Sequence, residues 1–175
     1  LHLPAQDTPK KFYYPSGREQ GEGMVDAQGK LNGEWTFFFE NGIKKSGGKY
    51  VHGQLQGCWF FWSDQGKLDS YGYYKNDKLD SVWYFFFPNG GIQRIAHFKA
   101  DSLDGWWVEY YGDTIKKQRG FFINGKKQGT WYTWYPNAQK MEQMAYVDGV
   151  LEGTYTRWYD NGQLQTSGIL KNGKA

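Results

Sequence analysis

The chain has 175 residues, enough for one domain or a short array of repeats. Aromatic residues make up 20% of it and only five residues are proline, which excludes a disordered chain. The net charge is +3 with Lys and Arg spread along the sequence, so nucleic acid is not an expected partner. No run of about 18 apolar residues is present that could span a membrane as a helix.

Residues 1–12 are predicted to form an N-terminal tail. The stretch from Leu1 to Ala5 resembles the end of a secretory signal, with cleavage after the small Ala5. The alternative is that Leu1 marks only the boundary of the sequence. We therefore expect export to the periplasm or the cell surface, with a cytoplasmic location as the alternative.

From residue 13 to residue 175 the sequence predicts a single array of about six repeats. Its clearest sign is a column of aromatic residues spaced 24 apart, each with a glycine, or once Ser81, two residues before it. A fixed period of this length indicates a repeated supersecondary unit, so we interpret the column as structural. Its members are Trp35, Trp59, Trp83, Trp107, Trp131 and Tyr155.

Residues 33–56 illustrate one repeat. Residues 33–39 read as an aromatic strand and residues 43–51 as a second strand, with turns at residues 40–42 and 52–55. These turns contain Asn and Gly, which favour the positive φ of tight hairpins, and short turns make neighbouring strands antiparallel. The sequence therefore predicts an all-β fold, an elongated single-layer antiparallel β-meander of roughly a dozen strands built from 24-residue β-hairpin repeats.

A pairing argument predicts how the column packs. If the first turn places Phe39 opposite Lys44, then Trp35 faces Gly48 on the next strand. We expect each large ring to lie over a small residue of that strand, the arrangement called aromatic rescue. The positions that follow Gly48 by whole periods are Gly72, Ala96, Gly120, Met144 and Gly168. Met144 breaks this rule.

A second aromatic column follows the first at a distance of three residues: Phe38, Trp62, Phe86, Tyr110, Trp134 and Trp158. An odd offset places it on the opposite face of a regular strand. The ordinary interpretation is packing. The sharper hypothesis is a partner contact, because exposed tryptophans anchor interfaces and stack on sugars. The candidate contact residues are Trp62, Tyr110, Trp134 and Trp158.

No combination of residues indicates catalysis, a metal ion or a cofactor, so we expect a protein that is not an enzyme. The histidines His2, His52 and His97 are scattered, and His52 falls in a turn position that other repeats fill with Asn, Ala or Asp. A solvated turn is therefore expected there. Cys58 is the single cysteine, which excludes an internal disulfide and a cysteine-based metal site.

Residues 50–59, together with the closing Gly66, resemble a MORN repeat. The Gly-x-Trp strand, the aromatic run and the Asn-Gly turn are closest to its bacterial variant, and the resemblance covers about residues 13–175. It implies a fold of stacked hairpins. Proteins of this variant family are often named as antitoxins of bacterial toxin–antitoxin modules (YwqK-like), and others are repeat proteins of the cell envelope. Elsewhere such repeats act as scaffolds and as lipid or protein contact surfaces.

These observations predict a non-enzymatic repeat scaffold that binds another protein through its extended sheet. One alternative, which rests on the resemblance, is an antitoxin or immunity protein that neutralises a bacterial toxin by occlusion. Another is an exported glycan-binding module that uses the outer tryptophans. Exposed edge strands are also expected to allow self-association.

Overall fold

The computed structural model describes residues 6–112, 114–171 and 173–174, and these contain no helix. Fourteen antiparallel strands form one sheet in which the strand order follows the chain. The predicted all-β meander is therefore confirmed. The strands are β1 Thr8–Tyr13, β2 Glu19–Val25, β3 Leu31–Phe38, β4 Lys44–Val51, β5 Gln54–Trp62, β6 Leu68–Lys75, β7 Lys78–Phe86, β8 Ile92–Lys99, β9 Ser102–Tyr110, β10 Lys116–Ile123, β11 Lys126–Trp134, β12 Lys140–Val147, β13 Val150–Trp158 and β14 Leu164–Leu170.

The chain divides into two compact units, unit 1 over residues 1–81 and unit 2 over residues 82–175. The structure corrects the predicted tail, because β1 pairs with β2 and the Phe12 ring stacks on Trp35 with centroids 5.3 Å apart. Residues 8–12 thus belong to the sheet. Residues 1–5 lie outside the described residues, so the signal-peptide remnant stays a prediction.

The second turn of each repeat is a two-residue hairpin turn. His52 and Gly53 have φ angles of 49° and 88°, and positive φ at both positions defines a type I′ turn. This turn matches the right-handed twist of its flanking strands. The same pair of positive φ angles recurs at Asn76-Asp77, Ala100-Asp101, Asn124-Gly125 and Asp148-Gly149. The tight hairpins expected from the sequence are present.

The type I′ turn at His52-Gly53 is hydrogen bonded to a strand two places back in the sheet. Gly53 N donates to Leu31 O at 2.7 Å, and His52 N donates to the Asn32 side-chain oxygen at 3.0 Å. These bonds satisfy turn amides that the strand ladder leaves without partners. The same pair of bonds joins Asp77 and Asn76 to Leu55 and Gln56, Gly125 and Asn124 to Leu103 and Asp104, and Gly149 and Asp148 to Lys127 and Gln128.

The first turn differs from the prediction. Lys44 pairs with Phe38 rather than with Phe39, because the register shifts between Phe37 and Phe38. Phe39 N donates to Ile43 O at 2.8 Å beyond this shift. The extra residue is accommodated as a β-bulge, which strand spacing in the sequence does not reveal.

Gly57, two residues before Trp59, lies at a second bulge. Between β4 and β5 the register runs from Gly48 opposite Trp59 to Lys49 opposite Gln56, and Gly57 has a φ of 75°. A left-handed φ suits glycine and is strained for other residues. The equivalent positions with positive φ are Gly33, Ser81, Gly105, Gly129 and Gly153.

The tryptophan rings lie over glycines, as expected, but on the other neighbouring strand. Trp35 does face Gly48 in the register. The ring that covers Gly48 is nevertheless that of Trp59, because a Cβ at Gly48 would lie 2.5 Å from it. Trp59 Nε1 also donates to Lys49 O at 3.1 Å, at the bulge. The Trp59 ring therefore covers the preceding strand.

The same arrangement recurs elsewhere in both units. Trp35 covers Gly23 and donates to Met24 O at 2.7 Å. Trp131 covers Gly120 and donates to the carbonyl of the next residue, Phe121, at 3.2 Å. The buried indole N–H groups of Trp35 and Trp131 therefore each have a hydrogen-bond acceptor.

Met144 is explained by the last repeat. It pairs in register with Tyr155, at the position where the preceding strand of other repeats carries a glycine. Tyr155 instead covers Gly168 on the following strand, where a Cβ would lie 2.8 Å from the ring. The large Met144 on the preceding strand is therefore accompanied by Gly168 on the following strand, and the Tyr155 ring lies over the glycine.

The aromatic column is the core of a sheet that has no second layer. Trp59 is 2% exposed and is surrounded by Tyr50, Phe61 and Tyr74, whose ring centroids lie 5.1, 6.2 and 6.4 Å away. Rings of the same face thus exclude water from one another. Trp35, Trp83 and Trp131 are buried to the same degree, and Trp107 and Tyr155 are half-buried.

We expect Gly120→Ala to lower the free energy of unfolding by about 2–3 kcal/mol, as overpacking does in well-packed cores. The added methyl group would collide with the Trp131 indole, which its hydrogen bond holds in place. Gly112→Ala is the control, because a Cβ there meets nothing within 4 Å. Urea denaturation followed by tryptophan fluorescence measures both, and equal stability of the two variants would contradict this packing.

Candidate functional site

The two faces of the sheet differ in exposure. The Trp face carries the aromatic column of Trp35 and its equivalents, and the opposite face carries the residues on either side of them. Large apolar side chains that remain exposed on strands are concentrated on the opposite face. They include Val51, Phe60 and Tyr73 in unit 1, and Trp106, Ile123, Val147, Val150, Leu164 and Ile169 in unit 2. Contiguous exposed apolar surface is typical of interaction sites, so this face is the candidate.

In unit 1 the opposite face presents a group of stacked rings. Trp62 is half-buried and stacks on Phe60 with centroids 5.9 Å apart, and Phe60 stacks on Tyr71 at 5.4 Å. Phe60 is 38% exposed and Tyr73 is 50% exposed. Trp62, a predicted contact residue, therefore supports a surface whose outermost part is formed by its neighbours.

In unit 2 the most exposed tryptophan is Trp106, at 46%. Its ring meets Phe121 edge to face at 5.2 Å, and the Arg119 guanidinium carbon lies 4.6 Å from the ring centroid. Tyr110, a predicted contact residue, is half-buried on the same face in register with Lys116. Aromatic residues with arginine are the combination enriched at interface centres.

Sequence reasoning missed Trp106 because its position is not a repeated aromatic column. The equivalent residues are Glu34, Cys58, Val82, Thr130 and Thr154. A signal was nevertheless present. Two consecutive residues of a strand point to opposite faces, so Trp106 and Trp107 cannot both belong to the buried column.

The structure brings Trp134 and Trp158 together on the opposite face of unit 2. They line a groove of about 450 Å³ together with Gln139, Lys140 and Gly162. Lys140 Nζ lies 5.8 Å from the Trp158 ring centroid and 5.6 Å from that of Tyr132. The groove therefore combines two half-buried indoles with an ammonium group and an amide.

A smaller cavity of about 280 Å³ lies in unit 1, where Phe37, Tyr50, Trp59, Phe61 and Tyr74 are among its lining residues. These are the residues that bury the aromatic column. The cavity is therefore a gap in the packing of the Trp face.

His52 has a partner that the sequence did not indicate. Its side chain is 68% exposed, yet Nδ1 lies 2.8 Å from Oδ2 of Asp26, a buried carboxylate. Oδ1 of Asp26 accepts hydrogen bonds from Gln28 N at 3.0 Å and Lys30 N at 2.9 Å. The bond with His52 lowers the pKa of the Asp26 carboxyl, although burial acts in the other direction. The pair joins two turns, so the expectation of a merely solvated turn is corrected.

Cys58 is half-buried, and burial raises the pKa of its thiol. A thiol is a weak nucleophile until it loses its proton. Among residues 6–112, 114–171 and 173–174, no group of three or more His, Cys, Asp or Glu side chains could hold a metal ion. The same residues contain no helix of the length and apolarity that crossing a membrane would need.

We expect the stability difference between the wild type and Asp26→Asn to depend on pH. A carboxyl whose pKa is lowered by folding stabilises the protein above its unfolded pKa of about 3.9, and this contribution is lost as the pH falls through the lower folded value. The difference should therefore be constant near neutrality and shrink in acid. Urea denaturation between neutral pH and about pH 3 measures it.

His52→Asn is the matched variant, because Asn76 and Asn124 occupy the same turn position. It removes the main cause of the lowered pKa and should reduce the pH dependence. Superimposable acid limbs for the wild type and Asp26→Asn would show that the pair contributes nothing.

Four segments of the chain, residues 31–51, 55–76, 79–100 and 151–172, match the family model of the MORN repeat variant. Each matched segment begins near the start of an aromatic strand and ends at or just past the end of the next strand, so it coincides with one hairpin. No curated protein matches the chain. MORN repeats are a non-catalytic repeat type that generally serves as a scaffold for protein or membrane binding. The chain is thus a repeat protein in which four hairpins match the model of the MORN repeat variant.

Proposed function

We propose that the protein is a non-enzymatic scaffold that binds another protein through the opposite face of its sheet. The observation that carries this proposal is the concentration of exposed apolar strand residues on that face, against the buried column on the Trp face. Burial of such residues against a partner is favourable at about 25 cal/mol for each Å² removed from water.

The chemistry of this face favours a protein partner. Trp106 and Arg119 form a cation–π pair at the surface, and Phe60, Trp62 and Tyr71 form a stack. Rigid aromatic side chains lose little conformational entropy when they are covered, and they carry most of the free energy at protein interfaces. The four predicted contact residues lie on this face and are half-buried: Trp62, Tyr110, Trp134 and Trp158.

We expect Trp106→Ala to weaken partner binding by about 2 kcal/mol, or roughly 30-fold. Tyr159→Ala is the control, because Tyr159 is exposed to a similar extent, at 48% against 46%, but lies in a turn. The measurement is cross-linking and quantitative capture from source cells with the wild type and both variants, after circular dichroism has shown that all three fold. A partner captured equally by both variants, or no partner with the wild type, would contradict the proposal.

A narrower form of the proposal is an antitoxin or immunity protein that occludes a bacterial toxin. The apolar face supports it, because a broad surface blocks a toxin without chemistry of its own. Its test is co-expression with a toxin encoded beside this chain's gene, with growth rescued by the wild type and not by Trp106→Ala.

The groove between Trp134 and Trp158 favours a second candidate function, the binding of an exported glycan. Indole faces stack on the apolar faces of sugars, and Lys140 and Gln139 offer donors to hydroxyl or carboxylate groups. Export itself stays a prediction.

We expect tryptophan fluorescence to change on titration with a panel of polysaccharides, and the change to be lost in Trp158→Ala. Trp62→Ala is the control, since Trp62 belongs to unit 1 and does not line the groove of Trp134 and Trp158. A flat response of the wild type across the panel would remove this candidate.

A further inference from the structure

Within unit 2 the Trp face becomes more polar along the chain. Two residues after the column tryptophan the early repeats carry Phe37, Phe61 and Phe85, whereas the later repeats carry Glu109, Thr133 and Arg157. On the strand that pairs with this position, Ser46 and Ser70 give way to Arg94. Because these residues depart from the period, the packing of the repeat does not explain them.

Arg94 packs its guanidinium against aromatic rings. Its guanidinium carbon lies 4.0 Å from the centroid of the Phe85 ring and 5.0 Å from that of Trp107. Its Nε is buried and has no hydrogen-bond partner within the described part of the chain. Burial lowers the pKa of Arg94, while the charge of Glu109 acts in the opposite direction. A partly desolvated guanidinium with an unsatisfied donor is unfavourable unless an acceptor is supplied.

The neighbouring carboxylate is engaged elsewhere. Glu109 is opposite Arg94 in the register, but its Oε1 accepts from Lys117 Nζ at 3.1 Å. Glu142, farther along the same row, pairs with Arg157 Nε at 3.0 Å. One oxygen of each of these glutamates therefore has another partner. The described side-chain contacts of the Arg94 guanidinium are the rings of Phe85 and Trp107, with the charge of Glu109 nearby.

A second cation lies on the same face. Lys127 stands where Leu31, Leu55 and Leu103 stand in other repeats. Its Nζ lies 4.2 Å from the Trp131 ring centroid, and burial lowers its pKa. Two partly buried cations on neighbouring tryptophans make this surface favourable for an anion.

We propose that Arg94 is a binding residue for a carboxylate group of a ligand, at a site on the Trp face of unit 2. The ring contacts fix the plane of the guanidinium, which then donates hydrogen bonds to the planar, singly charged carboxylate. A doubly charged phosphate is disfavoured, because Glu109 and Glu142 lie along the same row. The site is independent of the proposed partner surface, which is on the other face.

The test follows the Nε–H signals of Arg94 and Arg119 by NMR during titration with sodium acetate, slightly below neutral pH and at constant ionic strength. Both arginines stack on a tryptophan, but Arg119 is exposed. The expected result is a saturable shift of the Arg94 signal and none of the Arg119 signal. Equal shifts of both signals, or no saturable shift of Arg94, would overturn the assignment.

Arg94→Ser provides the second arm, because serine fills the equivalent positions 46 and 70. Acetate should raise the melting temperature of the wild type and leave that of this variant unchanged, since a ligand stabilises only the state that binds it. Inorganic phosphate at equal concentration should give the smaller effect. Tighter binding of phosphate would show that a carboxylate is the wrong ligand. If the variant fails to fold, the comparison of the two arginines in the wild type still decides.

Discussion

The structure depends on one contact, an indole ring that lies flat over a glycine of the preceding strand and donates its N–H to the next carbonyl. In Trp59 this contact joins Gly48 and Lys49. It requires a bulge at Gly57, which interrupts the ladder where the carbonyl accepts the bond. A sheet with no second layer can bury its largest side chains only if each ring lies against the backbone of its own sheet. The ring, the bulge and the covered glycine therefore depend on one another.

This arrangement also makes the two faces of the sheet differ in exposure. Rings on the Trp face fill the space above the glycines and are covered by other rings, so that Trp35 and Trp59 are nearly inaccessible. On the opposite face, apolar residues such as Phe60 and Trp106 stay partly in water. The same construction that stabilises one face thus leaves the other partly exposed, and the proposed scaffold role rests on that exposure.

Much of the fold could be predicted from periodicity. The period identified the hairpins, the antiparallel order, the type of turn residue and the register of Trp35 with Gly48. Counting could not reveal the shift beside Phe38, because a bulge adds a residue without changing the repeat length. Nor could it show which of two flanking strands a ring covers, since glycines occur on both.

The candidate site was predicted less completely. Trp62, Tyr110, Trp134 and Trp158 were identified as a column, and the structure joins two of them in one groove. Trp106 and Arg94 do not recur at the period, so a method that searches for columns passes over them. The pair of Asp26 and His52 joins residues 26 apart, a distance at which no local pattern operates.

The bonds of the type I′ turns have a consequence for how such a chain can evolve. Gly53 reaches back to Leu31, and Gly149 reaches back to Lys127 across the same interval. A single inserted residue within that interval would misalign the donor and the acceptor, and without a compensating bulge it would turn the following side chains of its strand to the other face. Gene duplication or loss of complete 24-residue hairpins preserves both relations. Length variation among natural relatives should therefore come in whole hairpins.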